Sequence, residues 1–212
     1  EVGSKLPLTS KYVINKLKEF GYEPEEICES GIVAMAGKGG GKTFLLRADM
    51  DALPVEEKTG LSFRSTNGNM HACGHDFHTT MLLGAAKLLK DYESELEGTV
   101  KIVFQPNEEG FRGAKLMINS GVLENPKVDA AMALHINSGT PTNTILYGLG
   151  TCIAGCTIFR ITIKGTGCHG AMPEAGVDPI NVAAHIYLST QEIIAREISA
   201  MESTVITFGK FQ

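Results

Sequence analysis

The chain has 212 residues, 43% of them hydrophobic and 20% charged, with a net charge of −5 and a mean hydropathy of +0.02. Such a length can bury a core in one or two domains. Mild acidity without a basic cluster argues against nucleic acid or an anionic membrane as partner, and no apolar run approaches the ~20 residues of a spanning helix. Five cysteines, Cys28, Cys73, Cys152, Cys156 and Cys168, are odd in number and irregularly spaced. They make no disulfide framework and favour a reducing, cytoplasmic setting. The opening Glu1-Val2-Gly3-Ser4 reads as the interior of a longer chain rather than a signal peptide.

In chain order, Tyr12, Val13, Ile14, Leu17 and Phe20 give helical spacing over residues 9–20, ended by Gly21. Residues 32–36 and 43–48 are predicted strands, joined through the glycine-rich 37–41 segment as a hairpin. A helix is predicted over 78–92, a buried strand over 100–104, a short helix over 113–119 and an apolar strand over 128–136. Strands alternating with helices predict an α/β layered domain over residues 1–149. From residue 150 the pattern changes: alternation over 157–164, a strong helix over 178–197 with Pro179 in its first turn, and strand-like 204–208 predict a second, α+β unit. Cys152 and Cys156 are read as small residues buried in a strand, not as half of a zinc site.

Two segments carry the chemistry. His71-Ala72-Cys73-Gly74-His75-Asp76-Phe77-His78 packs thiol, imidazole and carboxylate groups into eight residues. Those are the ligand types of zinc-like cations. Gln105-Pro106-Asn107-Glu108-Glu109-Gly110 places two carboxylates after an apolar strand, where one can ligate while its neighbour activates water. Asp49, Asp51 and His135 also fall at predicted strand ends, where open α/β sheets place their chemistry. Asp49 and Asp51 could ligate or orient a ligating imidazole. His169 lies in a glycine-flanked loop of the second unit and could reach a substrate. Gly37-Lys38-Gly39-Gly40-Gly41-Lys42-Thr43 imitates a phosphate loop, but Ala36 stands where its first glycine belongs. A cysteine nucleophile at Cys73 would leave the paired glutamates without a role.

Taken together, Arg47-Ala48-Asp49-Met50-Asp51-Ala52-Leu53-Pro54, residues 70–84 and 105–110, Ala133-Leu134-His135-Ile136 and residues 167–181 resemble the aminoacylase and carboxypeptidase-like co-catalytic metallopeptidases. The likeness is greatest to their amidohydrolase branch of hippurate hydrolases, N-acyl-amino-acid amidohydrolases and auxin–amino-acid conjugate hydrolases. The resemblance implies a catalytic domain with a mixed sheet flanked by helices, and an inserted α+β lid that makes a homodimer. It implies two divalent metal ions per chain held by Cys73, His75, Glu109 and His135; thiolate ligation favours zinc, with manganese, cobalt or nickel as alternatives. It further implies Glu108 as general base, Asp51 supporting a ligand, and His169 reaching the active site of a partner subunit. The expected substrate is a small N-acyl amino acid or dipeptide-like amide, hydrolysed at its amide bond; the alternatives are a dipeptidase or a non-catalytic metal-binding and dimerisation fragment. The family's further metal-binding histidine near its C-terminus has no counterpart after His185, so the resemblance implies a chain truncated at both ends.

Overall fold

Alternation decides which face each strand buries. In the computed structural model, which describes residues 1–150, 155–202 and 204–212, β2 (Gly31–Ala36) sends Ile32, Ala34 and Ala36 into one core and Val33 into another. β4 (Thr99–Gln105) divides the same way, with Ile102 and Phe104 opposite Val103. Two helices cover the first face. α1 (Pro7–Glu19) contributes Val13 and Leu17, and α2 (His75–Asp91) contributes Leu82, Leu83 and Ala86. On the other face Met117 of α3 (Gly113–Asn119) packs with Val33, Leu45, Val103 and Val122.

The remaining strands are β1 (Glu25–Cys28), β3 (Thr43–Asp49) and β5 (Ala130–Ala133), and the sheet order is β1-β2-β4-β3-β5. β4 runs antiparallel to β2 and parallel to β3, and β3 runs parallel to β5. This is a mixed sheet with helices on both faces, as the resemblance implies. Because β4 lies between β2 and β3, residues 37–42 are not a hairpin. They arch over the start of β4, and a Cβ on Gly37 (φ 104°) would overlap the carbonyl oxygen of Gly98. Apolar runs mark strands but not their partners, which is why the chain order suggested a hairpin.

A buried cation ties β4 to the segment after α3. Lys101, 1% exposed, donates to the carbonyls of Val122 (3.0 Å), Glu124 (2.7 Å) and Pro126 (3.0 Å). Those three acceptors satisfy the three donors of the ammonium group.

The chain divides into the units Glu1–Thr142 and Asn143–Gln212. In the second, Asp178 caps α4 (Pro179–Arg196) by accepting from the N–H groups of Ile180 (2.9 Å) and Asn181 (3.2 Å), with Pro179 in the first turn as expected. The strands expected over 157–164 and 204–208 are absent among the described residues; the pairing there is a single bridge between Thr166 and Val177. The two segments instead meet through side chains: the Phe208 ring stands 6.1 Å from Phe159 and 5.2 Å from Tyr187. Alternation records a segment with two faces, whereas a strand also needs a hydrogen-bonded neighbour. Cys156 is exposed rather than buried in a strand, with no sheet among the described residues to cover it, and Cys152 lies outside the described residues. Among the described residues no helix is long and apolar enough to cross a membrane.

Candidate metal centre

Three parallel strands end on one side of the first unit, and the polar residues follow them. Asp49 closes β3, with Asp51 two residues beyond. Glu108 and Glu109 come just after β4, and His135 just after β5. Opposite them stands the N-terminus of α2. The helix begins at His75, three residues earlier than its apolar face suggests, because Gly74 caps it in a left-handed conformation (φ 85°). His75 is therefore the first helical residue, and Cys73 precedes the cap.

His75 is the focus of the site. It is 1% exposed, and neither ring nitrogen has a hydrogen-bond partner among the described residues. Nδ1 faces Asp51 Oδ1 at 3.5 Å. Nε2 faces Asp49 Oδ2 at 3.7 Å, and Glu108 Oε2 and Glu109 Oε1 each at 3.8 Å. These are electrostatic approaches rather than hydrogen bonds. Burial alone would lower the His75 pKa, but the carboxylates of Asp51, Asp49 and Glu108 outweigh it and raise the value.

Asp51 organises the glutamates. It is 2% exposed; Oδ1 accepts from the Glu108 N–H (2.9 Å) and Oδ2 from the Glu109 N–H (3.2 Å). Burial would raise its pKa, yet the approach of His75 and the two N–H donors bring it below the usual carboxylate value. Asp49 is engaged differently. Its Oδ1 meets His78 Nδ1 at 2.6 Å and its Oδ2 meets Arg47 at 2.8 Å, so both oxygens are already held. Between ligating and orienting, which the sequence left open, that geometry favours orienting.

Cys73 Sγ lies 3.3 Å from His135 Nε2. Burial, then the neighbouring Glu109, Glu108 and Asp49, push the Cys73 thiol up to about 11. A thiol so placed needs a cation to become a ligand. Ligand atoms of Cys73, His75 and His135 lie within 4.8 Å of one another, and the same limit joins His75 with Glu108 and Glu109, and His75 with Asp49 and His78. The donors fit a divalent cation: a partnerless buried imidazole, a thiol and several carboxylates otherwise stand together with little positive charge among them.

The structure thus brings together Cys73, His75, Glu108, Glu109, His135 and Asp51. His169 belongs to the second unit, where it is exposed and its Nδ1 accepts from the Ala171 N–H at 3.2 Å. Arg47 and His78 received no role in the sequence. The signal for His78 is its spacing of three from His75, which puts both rings on one helix face, 5.4 Å apart.

The model of peptidase family M20/M25/M40 matches residues 45–208. The chain belongs to this family. Among its M20 relatives, IAA-amino acid hydrolase ILR1-like 5 of Arabidopsis thaliana is 42% identical over 214 residues, covering 100% of this chain and 49% of the relative. Hippurate hydrolase of Campylobacter jejuni is 41% identical over 214 residues, covering 100% and 55%. A crystal structure from methicillin resistant Staphylococcus aureus superposes with a TM-score of 0.78 at 33% identity, covering 100% of this chain and 57% of that one. The Bacillus subtilis YXEP protein, described as a dinuclear metal binding peptidase from the M20 family, gives 0.63 at 39% identity, covering 66% and 40%. The chain spans about half the length of the curated relatives it matches.

Proposed function

We propose that this protein is a metal-dependent hydrolase of the amide bond in N-acyl or otherwise conjugated small amino acids. The observation that carries the reading is the buried, partnerless His75 ring, faced by carboxylates and set beside the Cys73–His135 pair. The named activities of the M20 relatives supply the substrate class. In this reading Cys73, His75, Glu109 and His135 hold two divalent ions, zinc being favoured by the thiolate over manganese, cobalt or nickel. Glu109 is assigned as ligand and Glu108 as base on the family resemblance, both carboxylates standing 3.8 Å from His75 Nε2. Ions held there supply Lewis acidity toward the amide carbonyl and toward water.

The chain's own groups do the rest. Glu108 takes a proton from the attacking water as the new C–O bond forms, and returns it to the leaving amine as the C–N bond breaks. Asp51 holds the turn that carries Glu108 and orients His75 through Nδ1, leaving Nε2 to ligate. Residues 1–149 act as the catalytic domain. Residues 150–212 act as a lid and homodimer contact, from which His169 reaches the partner subunit's active site and donates to the developing oxyanion. Free Cys28, Cys73, Cys156 and Cys168 fit a cytoplasmic location.

Glu108→Gln should keep the metal content while turnover falls by at least ~10²–10⁴-fold. Near-normal turnover in that variant would end the general-base assignment. Cys73→Ala should lower metal per chain in elemental analysis. Comparing N-acyl amino acids with dipeptides separates an amidohydrolase from a dipeptidase, and sedimentation reads the dimer.

A further inference from the structure

His135 stands past the end of β5, so its place beside Cys73 depends on how residues 134–136 are held. His78 supplies one hold. Its Nδ1 faces Asp49 Oδ1, a carboxylate that can only accept, so Nδ1 carries the proton. Its Nε2 faces the N–H of Ile136 at 3.0 Å and must be the acceptor. His78 is 3% exposed, and both of its nitrogens are in use. It is a neutral ring with one fixed tautomer and no lone pair left for a metal, although its nitrogen lies within reach of His75 and Asp49. Asp49 is fixed in turn by Arg47, which also donates to Gln105 Oε1 at 3.0 Å.

Ile136 passes the constraint on in two directions. Its carbonyl accepts from His135 Nδ1 at 2.6 Å, which turns His135 Nε2 toward Cys73. Its side chain lies against Gly74, the residue between Cys73 and His75, where any Cβ would overlap Ile136 Cδ1. The rings of His78 and His135 also meet edge to face, with centroids 4.5 Å apart. The β5 side and the α2 side of the site are therefore keyed through one isoleucine, and His78 sets where that isoleucine sits.

We infer that His78 is a positioning residue: through the Ile136 backbone it aims His135 at Cys73 and sets the gap that a single cation bridges. The inference rests on the reading that Cys73 and His135 share a metal. Cobalt(II) tests both, because a Cys73 thiolate on cobalt gives a charge-transfer band in the near ultraviolet. A wild-type protein that takes up cobalt without this band sinks the shared-metal reading and the inference with it. With the band present, His78→Asn keeps a donor for Asp49 but leaves the Ile136 N–H unheld. Cobalt affinity should then fall by about 10- to 100-fold and the band should weaken. His78→Gln, which restores an acceptor near the Nε2 position, should recover much of both. Equal affinity and an unchanged band in His78→Asn would overturn the inference. Should His78→Asn not fold, nitrogen-resolved imidazole spectra of the wild type decide. A proton on His78 Nδ1, and an Nε2 whose signal is unmoved by zinc, are expected; a zinc-shifted Nε2 would make His78 a ligand and refute the positioning role.

Discussion

Asp51→Asn changes one atom and reverses one hydrogen bond. The carboxylate accepts two backbone N–H groups, from Glu108 at 2.9 Å and Glu109 at 3.2 Å, one on each oxygen. An asparagine keeps one acceptor and turns an NH2 against the other N–H. The residue is 2% exposed, so water does not readily replace the lost partner. A hydrogen bond to a charged group is worth about 1.5–3 kcal/mol and an orphaned buried donor costs about 1–3 kcal/mol. These overlap rather than add, so a loss of about 2–4 kcal/mol is expected at pH 7. His75 also loses its carboxylate at 3.5 Å, and metal affinity should fall by about 10- to 100-fold. Because the folded pKa of Asp51 lies below its unfolded value, its contribution is complete above pH ~4 and fades as acid protonates it. Denaturant unfolding of the metal-free protein at pH 7 and again at pH 3, with zinc uptake by equilibrium dialysis, reads all three effects. A variant within about 0.5 kcal/mol of wild type at pH 7, with unaltered zinc uptake, would refute the account of Asp51 as organiser of the site.

Lys101→Met keeps the length of the side chain but leaves the carbonyls of Val122, Glu124 and Pro126 without their shared donor. Relief of the buried charge offsets part of that loss, and unfolding should report about 2–4 kcal/mol of destabilisation; a neutral result would mean that water takes over the three acceptors. Tyr22→Phe removes the 2.7 Å bond to the Ala86 carbonyl and should cost about 1 kcal/mol at neutral pH. Burial, with help from Glu93 and Asp91, pushes the Tyr22 pKa up to about 12. Its folded value lies above the unfolded value near 10, so wild-type stability should fall with rising pH by about 1.4 kcal/mol per unit across that window. The phenylalanine variant should lack this slope and overtake wild type, and parallel stability curves from pH 9 to 12 would contradict the assignment.

The clustering of the candidate residues was legible because they sit where chain direction leaves them. Asp49, Glu108 and His135 each follow a run of apolar residues, and the sheet gathers the ends of three parallel strands. Sequence alone could not show that β4 enters between β2 and β3, since Val100 and Phe104 look the same beside any partner. Nor could it show that α2 starts at His75: glycine at 74 permits a left-handed cap but does not announce one. The division of labour between Asp49 and Asp51 was equally hidden, because it depends on Arg47 and His78 rather than on either aspartate. In the second unit the alternation of Phe159, Ile161 and Ile163 was real, yet a pattern along one segment carries no information about whether a neighbour pairs with it.

The insertion of β4 between two earlier strands has a consequence for synthesis. Before β4 has left the ribosome, β2 and β3 are both present and cannot pair with each other in the native order. Their shared neighbour arrives after both, across a long gap in sequence, which is the kind of non-local pairing that slows folding and leaves strand edges exposed to other chains. Glu108 and Glu109 emerge on the tail of that same strand. The nascent protein therefore gains its central strand and its paired glutamates in one step, after Cys73 and His75 have emerged. A chaperone that shields the two waiting edges would guard the candidate site as well.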